Sequence, residues 1–279
     1  MNNTYILIDG SYYVFYRYFA LVNWWKLSHK DEPIENIEEN EEFIEKFKDI
    51  FKRKIIEIPK KIGIPKTEIS NVKFIVGLDC KRQNIWRNNL YSKYKGTRDD
   101  NKDSSLDPGK IFKIVYDDNL FKSIDCIDIK TVRHKRLEAD DCIAILTNTI
   151  TDTQPDSKII IITSDTDYLQ LIRENVQLIN LKYKSVDTPK NNLGCPHKNL
   201  LYKIIIGDKS DNIPSVFKKC GPKKTLKYIE DIYLLDEHIN SIDGALEQYK
   251  LNRRLIDFKM IPESLKNELL GQIKLNDIL

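Results

Sequence analysis

The stretch Lys158–Asp167, which reads KIIIITSDTD, determines the class of fold. Its first part, Lys158–Thr163, is a continuous apolar run, and such a run is typical of a strand buried on both faces of a sheet. The turn residues Ser164 and Asp165 end it. Apolar content and flanking turn residues predict four further strands. These are Thr4–Asp9, Val72–Leu78, Ile124–Val132 and Val176–Leu181.

Helical patterns separate these strands, at Ser11–Leu21, Asn36–Ile62, Asp107–Phe121 and Leu137–Thr149. Strands that alternate with helices predict an α/β fold with a mostly parallel sheet covered by helices on both faces. No strand is predicted after about residue 196. Short helices are predicted there instead, at Asn199–Ile206, Pro214–Lys219 and Pro222–Ile232, followed by a helical tail.

Composition excludes several classes of protein. The net charge is only +3, from 45 basic and 42 acidic residues, which is too balanced for a protein that simply coats nucleic acid. Five cysteines without a C-x-x-C pair argue against a disulfide framework and predict a reducing compartment. Neither a signal peptide nor a transmembrane helix is predicted, so we expect an intracellular, soluble protein that does not act in a membrane.

Carboxylates are concentrated where the predicted strands end. In a parallel sheet those ends meet at one edge, where ligands bind. The candidate metal ligands are Asp9, Asp79, Glu138, Asp140, Asp141, Asp165, Asp167, Asp208 and Asp211. Each group alone can be explained as a helix cap or a favourable helix start. Nine carboxylates at one edge, however, would repel one another strongly unless cations bind between them.

The expected cations are Mg²⁺ or Mn²⁺, because hard divalent ions prefer oxygen ligands. Zinc is not expected, since the four histidines are scattered and Cys195 and His197 form a pair without partners. Two divalent ions about 4 Å apart suit the in-line hydrolysis of a phosphodiester. No Ser–His–Asp or Cys–His set supports a covalent route.

Basic residues form two candidate phosphate-binding groups. The first is the segment Tyr94–Arg98 (YKGTR), where Lys95 and Arg98 suit phosphate oxygens and Tyr94 offers a ring for stacking on a base. A solvated basic loop is the alternative interpretation. The second group opens a predicted helix, where backbone N–H groups after a glycine form an anion site. The candidate nucleic-acid contacts are Arg82, Tyr94, Lys95, Arg98, Gly221, Lys223 and Lys224.

Six motifs in this order resemble the 5′-nuclease superfamily. They are LIDGS (Leu7–Ser11), GLD (Gly77–Asp79), YKGTRD (Tyr94–Asp99), LEADD (Leu137–Asp141), TSDTDYLQL (Thr163–Leu171) and GDKSDNIPSV (Gly207–Val216). The superfamily includes the 5′-nuclease domain of bacterial DNA polymerase I, phage 5′-exonucleases and eukaryotic flap endonucleases. The motifs are more similar to the bacterial and phage branch.

The resemblance implies a PIN-like nuclease core at residues 1–190, with a helical arch near 86–136. It implies a helical DNA-binding region at 191–279, with a helix–three-turn–helix element near 199–232 and a helical tail. The nine carboxylates would bind two divalent ions, and a K⁺ ion is common in the helical element of this family. Catalytic roles are implied for Lys95, Arg98, Asp79 and Asp141.

The implied substrates are DNA with 5′ flaps, nicks or free 5′ ends, and RNA–DNA hybrids are a further candidate. The protein is expected to be a monomer. Residues 272–279 have the Gln and Leu spacing of a sliding-clamp peptide but lack its two aromatic residues, so an amphipathic tail is the simpler interpretation. The hairpin departs from bacterial relatives, which have more glycine where this chain has Ser215, Lys218, Lys219 and Cys220.

Three alternative functions remain open from the sequence. The first is a non-enzymatic DNA-binding protein on a nuclease fold, although none of the nine carboxylates is missing. The second is a phosphatase that uses Asp165 and Asp167 as an isolated D-x-D site, which leaves Tyr94–Arg98 unexplained. The third is an exonuclease that removes RNA primers, which shares the metal chemistry and differs in the shape of its substrate.

Overall fold

The computed structural model describes residues 3–30, 35–99, 106–124 and 127–273, without the side chains of residues 98 and 99. Its strands are β1 (Thr4–Asp9), β2 (Val72–Leu78), β3 (Ile129–Arg133), β4 (Lys158–Ile162) and β5 (Val176–Ile179). They form one sheet in the order β3-β2-β1-β4-β5, and every neighbouring pair is parallel. The predicted α/β fold with a parallel central sheet is therefore confirmed.

Two strand boundaries differ from the prediction by two residues or more. β3 begins at Ile129 rather than Ile124. β5 ends at Ile179 because the chain turns back at once, with the Asn180 N–H donating to the Lys184 carbonyl at 2.9 Å. The candidate ligands that follow β1, β2 and β4 are the same with either set of boundaries.

The helices are α1 (Gly10–Ser28), α2 (Glu41–Ile56), α3 (Ile58–Lys61), α4 (Pro108–Tyr116), α5 (Ala139–Thr153), α6 (Pro196–Ile206), α7 (Pro222–Glu230), α8 (Ile232–Ser241), α9 (Ala245–Ile256) and α10 (Glu263–Gln272). The predicted helix at residues 36–62 is divided. Asn40 caps α2 by accepting from the Phe43 N–H at 3.0 Å, and Pro59 begins the separate turn of α3. In the part of the chain that the structure describes, no helix is long and apolar enough to cross a membrane.

The sheet separates two apolar layers because side chains alternate along each strand. Ile6 and Ile8 of β1 face the layer built from α1, α2 and α4. Tyr5 and Leu7 face the opposite layer, which contains α5 and residues of α10. Both faces of β1 are thus buried, as expected of a central parallel strand.

The predicted helix at Pro214–Lys219 is wrong. This segment consists of bends and turns, and its backbone pairs with neighbouring helices instead of with itself. The Val216 N–H donates to the Ile205 carbonyl of α6 at 2.9 Å, and the Asn252 side chain of α9 donates to the Pro214 carbonyl at 2.8 Å. Lys219 has a positive φ of 54°, which is incompatible with a continuing helix.

The predicted domain boundary and arch stay predictions. Within the interval 86–136 the structure places residues 129–133 in the sheet as β3, so an arch can include only residues before that strand. The C-terminal tail packs on the α/β core, since Leu265 and Leu269 of α10 lie in the same cluster as α5.

Two glycines bring β1, β2 and the start of α5 into close contact. A Cβ atom on Gly10 would lie 2.5 Å from the Gly77 carbonyl oxygen. A Cβ atom on Gly77 would lie 2.8 Å from the Ala139 carbonyl oxygen and 2.9 Å from Ile143. Because these neighbours are mainly backbone, they cannot move aside cheaply, and only glycine fits at either position.

We predict that Gly77→Ala lowers the free energy of unfolding by about 1–3 kcal/mol, because the added methyl forces α5 away from β2. Urea unfolding in EDTA measures this. Gly271→Ala is the control: a Cβ there meets nothing within 4 Å, so α10 should be unchanged or stabilised by up to about 1 kcal/mol. Equal stability of Gly77→Ala and the wild type would contradict the close packing.

Candidate metal centre

Asp9 stands at the reversal point of the sheet, where β1 has β2 on one side and β4 on the other. Ligand sites of open parallel sheets lie at such points. One Asp9 oxygen caps α1 by accepting from the Tyr12 N–H at 3.0 Å. The Tyr168 hydroxyl donates to the other oxygen at 3.3 Å. The helix cap thus holds this carboxylate at the edge of the sheet.

Asp79 joins the end of β2 to α1 and α5. Its carboxylate accepts hydrogen bonds from the Ser11 hydroxyl and, at 2.9 Å, from the Ala139 N–H. Ala139 is the first residue of α5, so its N–H has no partner within the helix. These two bonds fix Asp79 beside the acidic residues that begin α5.

Glu138 caps α5 and lies among three side chains of the segment before α4. The Lys95 amine contacts Glu138 Oε1, and the Tyr94 hydroxyl donates to Oε2 at 3.0 Å. Arg87 Nη1 also donates to Oε2, at 2.9 Å. One oxygen of Glu138 is therefore held by Arg87 and Tyr94, while the other lies next to Lys95.

Glu138, Asp140 and Asp141 each have an oxygen within 4.8 Å of the others, which by proximity alone would allow a shared cation. The hydrogen bonds distinguish the three. Asp140 lines a cavity at the edge of the sheet. Asp141 is fully buried and accepts from Arg87 and Trp86.

The other acidic pairs come from the turn after β4 and from the end of α6. Asp165 caps the 3₁₀ turn Thr166–Leu171 by accepting from the Asp167 N–H at 2.8 Å. The Lys203 amine lies 2.7 Å from Asp167 Oδ1 and 2.6 Å from Asp208 Oδ2. Lys203 is thus a cation between two of the predicted ligands.

These elements enclose one cavity of about 470 Å³ at the sheet edge. Six carboxylates and two lysines line it, together with hydroxyl-bearing residues. The acidic and basic lining residues are Asp9, Asp140, Asp165, Asp167, Asp208, Asp211, Lys95 and Lys203. The structure therefore brings together six of the nine predicted ligands around one space. Asp79 lies close enough to Asp9 to raise its pKa, and Glu138 contacts the lining residue Lys95.

Burial and mutual repulsion raise the pKa of several of these carboxyl groups. Burial, and then the neighbouring Asp79, raises the pKa of Asp9 to about 6. Burial, and then Asp165, raises the pKa of Asp167 to about 7. The pKa of Asp140 is raised well above its ordinary value, again mainly by burial.

Asp208 differs because it has a cation beside it. Burial alone would raise its pKa, but the Lys203 amine and hydrogen bonds from Ser210 together lower it. The same ion pairs raise the pKa of Lys203, despite a burial effect in the opposite direction. Lys203 thus stays protonated; it contacts the carboxylates of Asp167 and Asp208, and its charge also favours the ionised form of Asp165.

The residues present fit divalent cations. Oxygen atoms dominate the lining, and the pKa values of its carboxyl groups are raised first by burial and then by neighbouring carboxylates, an arrangement that bound cations would stabilise. Asp167 Oδ1 is inaccessible to solvent and, although 2.7 Å from Lys203 Nζ, accepts no hydrogen bond of acceptable geometry from the described residues. An oxygen of this kind suits a cation with a strong preference for oxygen.

Lys95 lines the cavity, whereas the ring of Tyr94 is buried. Lys95 has a positive φ of 55°, donates its N–H to the Asp211 carbonyl at 2.9 Å, and directs its amine to Glu138 and Asp211. The stacking role predicted for Tyr94 is wrong, because its ring is only 5% exposed. Its hydroxyl reaches Glu138 and Asp211, which draws the ring inward.

The remaining predicted nucleic-acid contacts have different positions. Arg82 is exposed and donates to the Lys95 carbonyl, so it braces the segment that carries Lys95. The side chain of Arg98 lies outside the described residues. Gly221 is the N-cap of α7 and has no side chain to cap it, and Lys223 and Lys224 in its first turn are exposed.

Sequence reasoning missed Lys203, Arg87 and Trp86. Lys203 had a usable signal, since it is the one charged residue in the apolar helix end LYKIII, five positions before Asp208. Arg87 and Trp86 had none, because a buried arginine in a basic segment looks the same in sequence as a solvated one.

A family profile described as "5'-3' exonuclease, N-terminal resolvase-like domain" matches residues 4–194, more than half of the chain. The chain belongs to the 5′-3′ exonuclease family. The 5'-3' exonuclease of Buchnera aphidicola subsp. Acyrthosiphon pisum is 30% identical, over 100% of this chain and 92% of that protein. The DNA polymerase I of Caldicellulosiruptor bescii is 31% identical over 58% of this chain, but only 19% of that longer protein is covered.

Among solved structures, the T5 5'-exonuclease with bound zinc ions has a TM-score of 0.69, with 18% identity and 99% of both chains covered. A complex of the bacteriophage T5 flap endonuclease with DNA and metal ions has a TM-score of 0.66, with 15% identity and 97% of both chains covered. At these identities the likeness shows a shared fold. Membership of the 5′-3′ exonuclease family makes the protein a nuclease.

We predict that, without metal, this family member becomes less stable as pH rises from 5 to 8. The folded pKa values of Asp9 and Asp167, about 6 and about 7, exceed the value of 3.8 for a free carboxyl. The folded state therefore binds protons more tightly, and this stabilisation is lost as pH rises through those values. The pKa of Asp208 is lowered, so its effect on stability falls at a pH below this range.

Thermal unfolding in EDTA across this pH range is the measurement. The stabilisation by Mg²⁺ should grow over the same range, because ligand carboxylates must lose their protons to bind it. Asp167→Asn should flatten the metal-free profile. If the metal-free protein became more stable from pH 5 to 8, the description of the cavity as a group of buried carboxyl groups with raised pKa values would be wrong.

Proposed function

We propose that this protein is a structure-specific 5′-nuclease that hydrolyses phosphodiester bonds in DNA with 5′ flaps, nicks or free 5′ ends. The observation that carries the proposal is the cavity at the sheet edge, where six carboxylates and two lysines face one space. The names of the relatives support it: 5'-3' exonucleases by sequence, and a flap endonuclease with DNA by fold.

Two Mg²⁺ ions, with Mn²⁺ as a substitute, are the proposed cofactors, and they supply activation of water and stabilisation of the leaving oxygen. The residues proposed to hold them are the nine predicted carboxylates: Asp9, Asp79, Glu138, Asp140, Asp141, Asp165, Asp167, Asp208 and Asp211. Raised pKa values at Asp9, Asp140 and Asp167 mean that these groups would release protons when the ions bind.

Lys95 is the proposed phosphate-binding residue at the cleavage site. Its amine now contacts Glu138 and lies 3.7 Å from Asp211 Oδ2, and its side chain is 12% exposed toward the cavity. When bound cations neutralise these carboxylates, a phosphate oxygen becomes the better partner for the amine. Arg98, three positions later, is proposed to bind the same phosphate.

The start of α7 is the proposed contact to the backbone of the duplex. The start of a helix attracts anions. Because α7 begins with Pro222, which has no N–H, and the Lys224 N–H donates to the Gly221 carbonyl at 3.1 Å, the proposed contacts are the Lys223 N–H and the exposed side chains of Lys223 and Lys224. Gly221 allows the backbone to approach closely, since a Cβ there would meet nothing and the space is open. A K⁺ ion in this region, a helix–three-turn–helix role, and action on RNA–DNA hybrids belong to the proposal as well.

Action as a monomer in a reducing compartment also belongs to this proposal. Among the described residues Cys80, Cys142, Cys195 and Cys220 are free thiols. Of the predicted clamp peptide, residues 274–279 lie outside the described residues, so clamp binding stays a prediction.

We predict Mg²⁺-dependent cleavage of a labelled 5′-flap duplex near its junction. Asp79→Ala should abolish cleavage, and Lys95→Ala should slow it by roughly 10²–10³-fold, because an electrostatic contact to the reacting phosphate is lost. DNA binding should persist in both variants. Blunt, nicked and RNA-primed duplexes, assayed alongside, rank the substrates.

Lys66→Ala is the matched control for Lys95→Ala. Lys66 is exposed and precedes β2, at the opposite end of the sheet from the cavity, so cleavage should be unchanged. Tight flap binding by the wild type without cleavage under any divalent ion would replace the nuclease proposal with a non-catalytic DNA-binding protein.

We also predict that the double variant Lys223→Ala/Lys224→Ala binds DNA with a weaker dependence on salt. Each phosphate contact contributes about 0.9 to the slope of log affinity against log salt, so the slope should fall by up to about 2. The rate at saturating DNA should change little, because these lysines lie outside the cavity. Fluorescence anisotropy at several salt concentrations measures the slope.

Lys60→Ala/Lys61→Ala is the control pair, since both are exposed lysines at the end of α3, before the amino end of β2. An unchanged slope in the α7 variant would exclude α7 as a backbone contact.

A further inference from the structure

Arg87 is a buried arginine that binds two of the predicted metal ligands. Its side chain is 2% exposed. Nη1 donates to Glu138 Oε2 at 2.9 Å and to Asp141 Oδ2 at 2.8 Å, and Nη2 donates to Asp141 Oδ1 at 2.7 Å. The fork of the guanidinium thus binds both oxygens of Asp141, which is the strongest geometry for this pair of groups.

Asp141 has little capacity left for a cation. A carboxylate has about four acceptor positions. Besides the two bonds from Arg87, Oδ2 accepts from Trp86 Nε1 at 2.9 Å and from the Glu138 N–H at 3.2 Å. The side chain is fully buried and does not line the cavity, whereas that of its neighbour Asp140 does.

We infer that Arg87 and Asp141 form a resident ion pair that positions Glu138, so that Asp141 is a positioning residue and not a ligand of the catalytic cations. This inference rests on the proposed nuclease function. It removes one of the nine carboxylates from the ligand set and adds a residue that sequence reasoning did not select.

The ion pair determines which oxygen of Glu138 is left beside Lys95, which lines the cavity. Arg87 and Tyr94 both donate to Oε2, so only Oε1 remains on the side of Lys95. A cation that took Asp141 would have to separate it from Arg87. That would leave a buried guanidinium with one fewer carboxylate, and breaking such a pair is strongly unfavourable.

The same arginine connects the site to the C-terminal helices. Arg87 Nε donates to the Leu255 carbonyl at 2.7 Å, and this carbonyl belongs to the last turn of α9, where helix carbonyls have no internal partner. All three donor nitrogens of Arg87 are therefore engaged, and its position depends on α5 and α9 together.

A double-mutant cycle tests the inference, with Arg87→Met, Asp141→Asn, both together, and Asp140→Asn as the matched ligand variant. Mn²⁺ binding without DNA, followed by electron paramagnetic resonance, is the main readout, and the Mg²⁺ dependence of flap cleavage is the second. Each single change at Arg87 or Asp141 should weaken Mn²⁺ binding about 10- to 100-fold, as expected of groups that orient ligands.

The double variant should recover most of that loss and bind Mn²⁺ within about threefold of the wild type, because no unpaired charge remains. Asp140→Asn should bind Mn²⁺ more weakly than the double variant. Arg87→Lys should fall between wild type and Arg87→Met, because it keeps the charge but not the fork. A double variant as weak as Asp141→Asn would overturn the inference and make Asp141 a ligand.

A measurement on the wild type covers the case in which a variant does not fold. The Trp86 indole N–H donates to Asp141, so its exchange with solvent is slow while the ion pair is intact. It should stay slow at saturating Mg²⁺. Faster exchange of the Trp86 indole N–H would overturn only the inference about Asp141. A wild type that neither binds Mn²⁺ nor cuts DNA would overturn the proposed function as well.

Discussion

Repulsion between carboxylates at one edge of the sheet is the constraint on which the rest of this structure depends. The strand order places Asp9 and the turn after β4 side by side, and the close contact of Gly77 with Ala139 adds the start of α5. These carboxylates could not lie so close together unless positive charge offset their repulsion. Cationic side chains do so in part: Arg87 and Lys95 from the segment before α4, and Lys203 from α6.

These three cations differ in how firmly they are held. Arg87 is buried and each of its three nitrogens donates a hydrogen bond, so it belongs to the permanent framework. Lys95 and Lys203 lie at the cavity with side chains 12% and 22% exposed, and a single amine can exchange one oxygen for another. The framework thus combines one fixed cation with two that remain able to bind an anionic ligand.

The main parts of the fold were predictable because they depend on local pattern. Continuous apolar runs identified β1, β2 and β4, and an acidic residue after each run identified the edge where the site lies. The bends at Pro214–Lys219 were not predictable, since the partners of that backbone, Ile205 and Asn252, come from other helices.

The same distinction between local pattern and contacts with distant segments explains which site residues could be predicted. Carboxylates near strand ends are visible in sequence, whereas the burial of Tyr94 and Arg87 depends on how residues 82–99 fold against α5 and α9. Sequence shows that a tyrosine precedes a lysine there. It does not show that the tyrosine hydroxyl is directed to Glu138, which removes the ring from the surface.

The attachment of the C-terminal helices bears on how the protein can be divided. α9 receives a hydrogen bond from Arg87, Gln170 bonds to Ile256 and Phe258, and α10 contributes Leu265 and Leu269 to the layer beneath the sheet. Removing residues after about 190 would strip that layer of its outer covering and leave the guanidinium of Arg87 without its backbone partner. The sheet and its carboxylates therefore cannot be moved alone into another protein. A fusion or truncation that keeps the carboxylates must also keep the chain through α10.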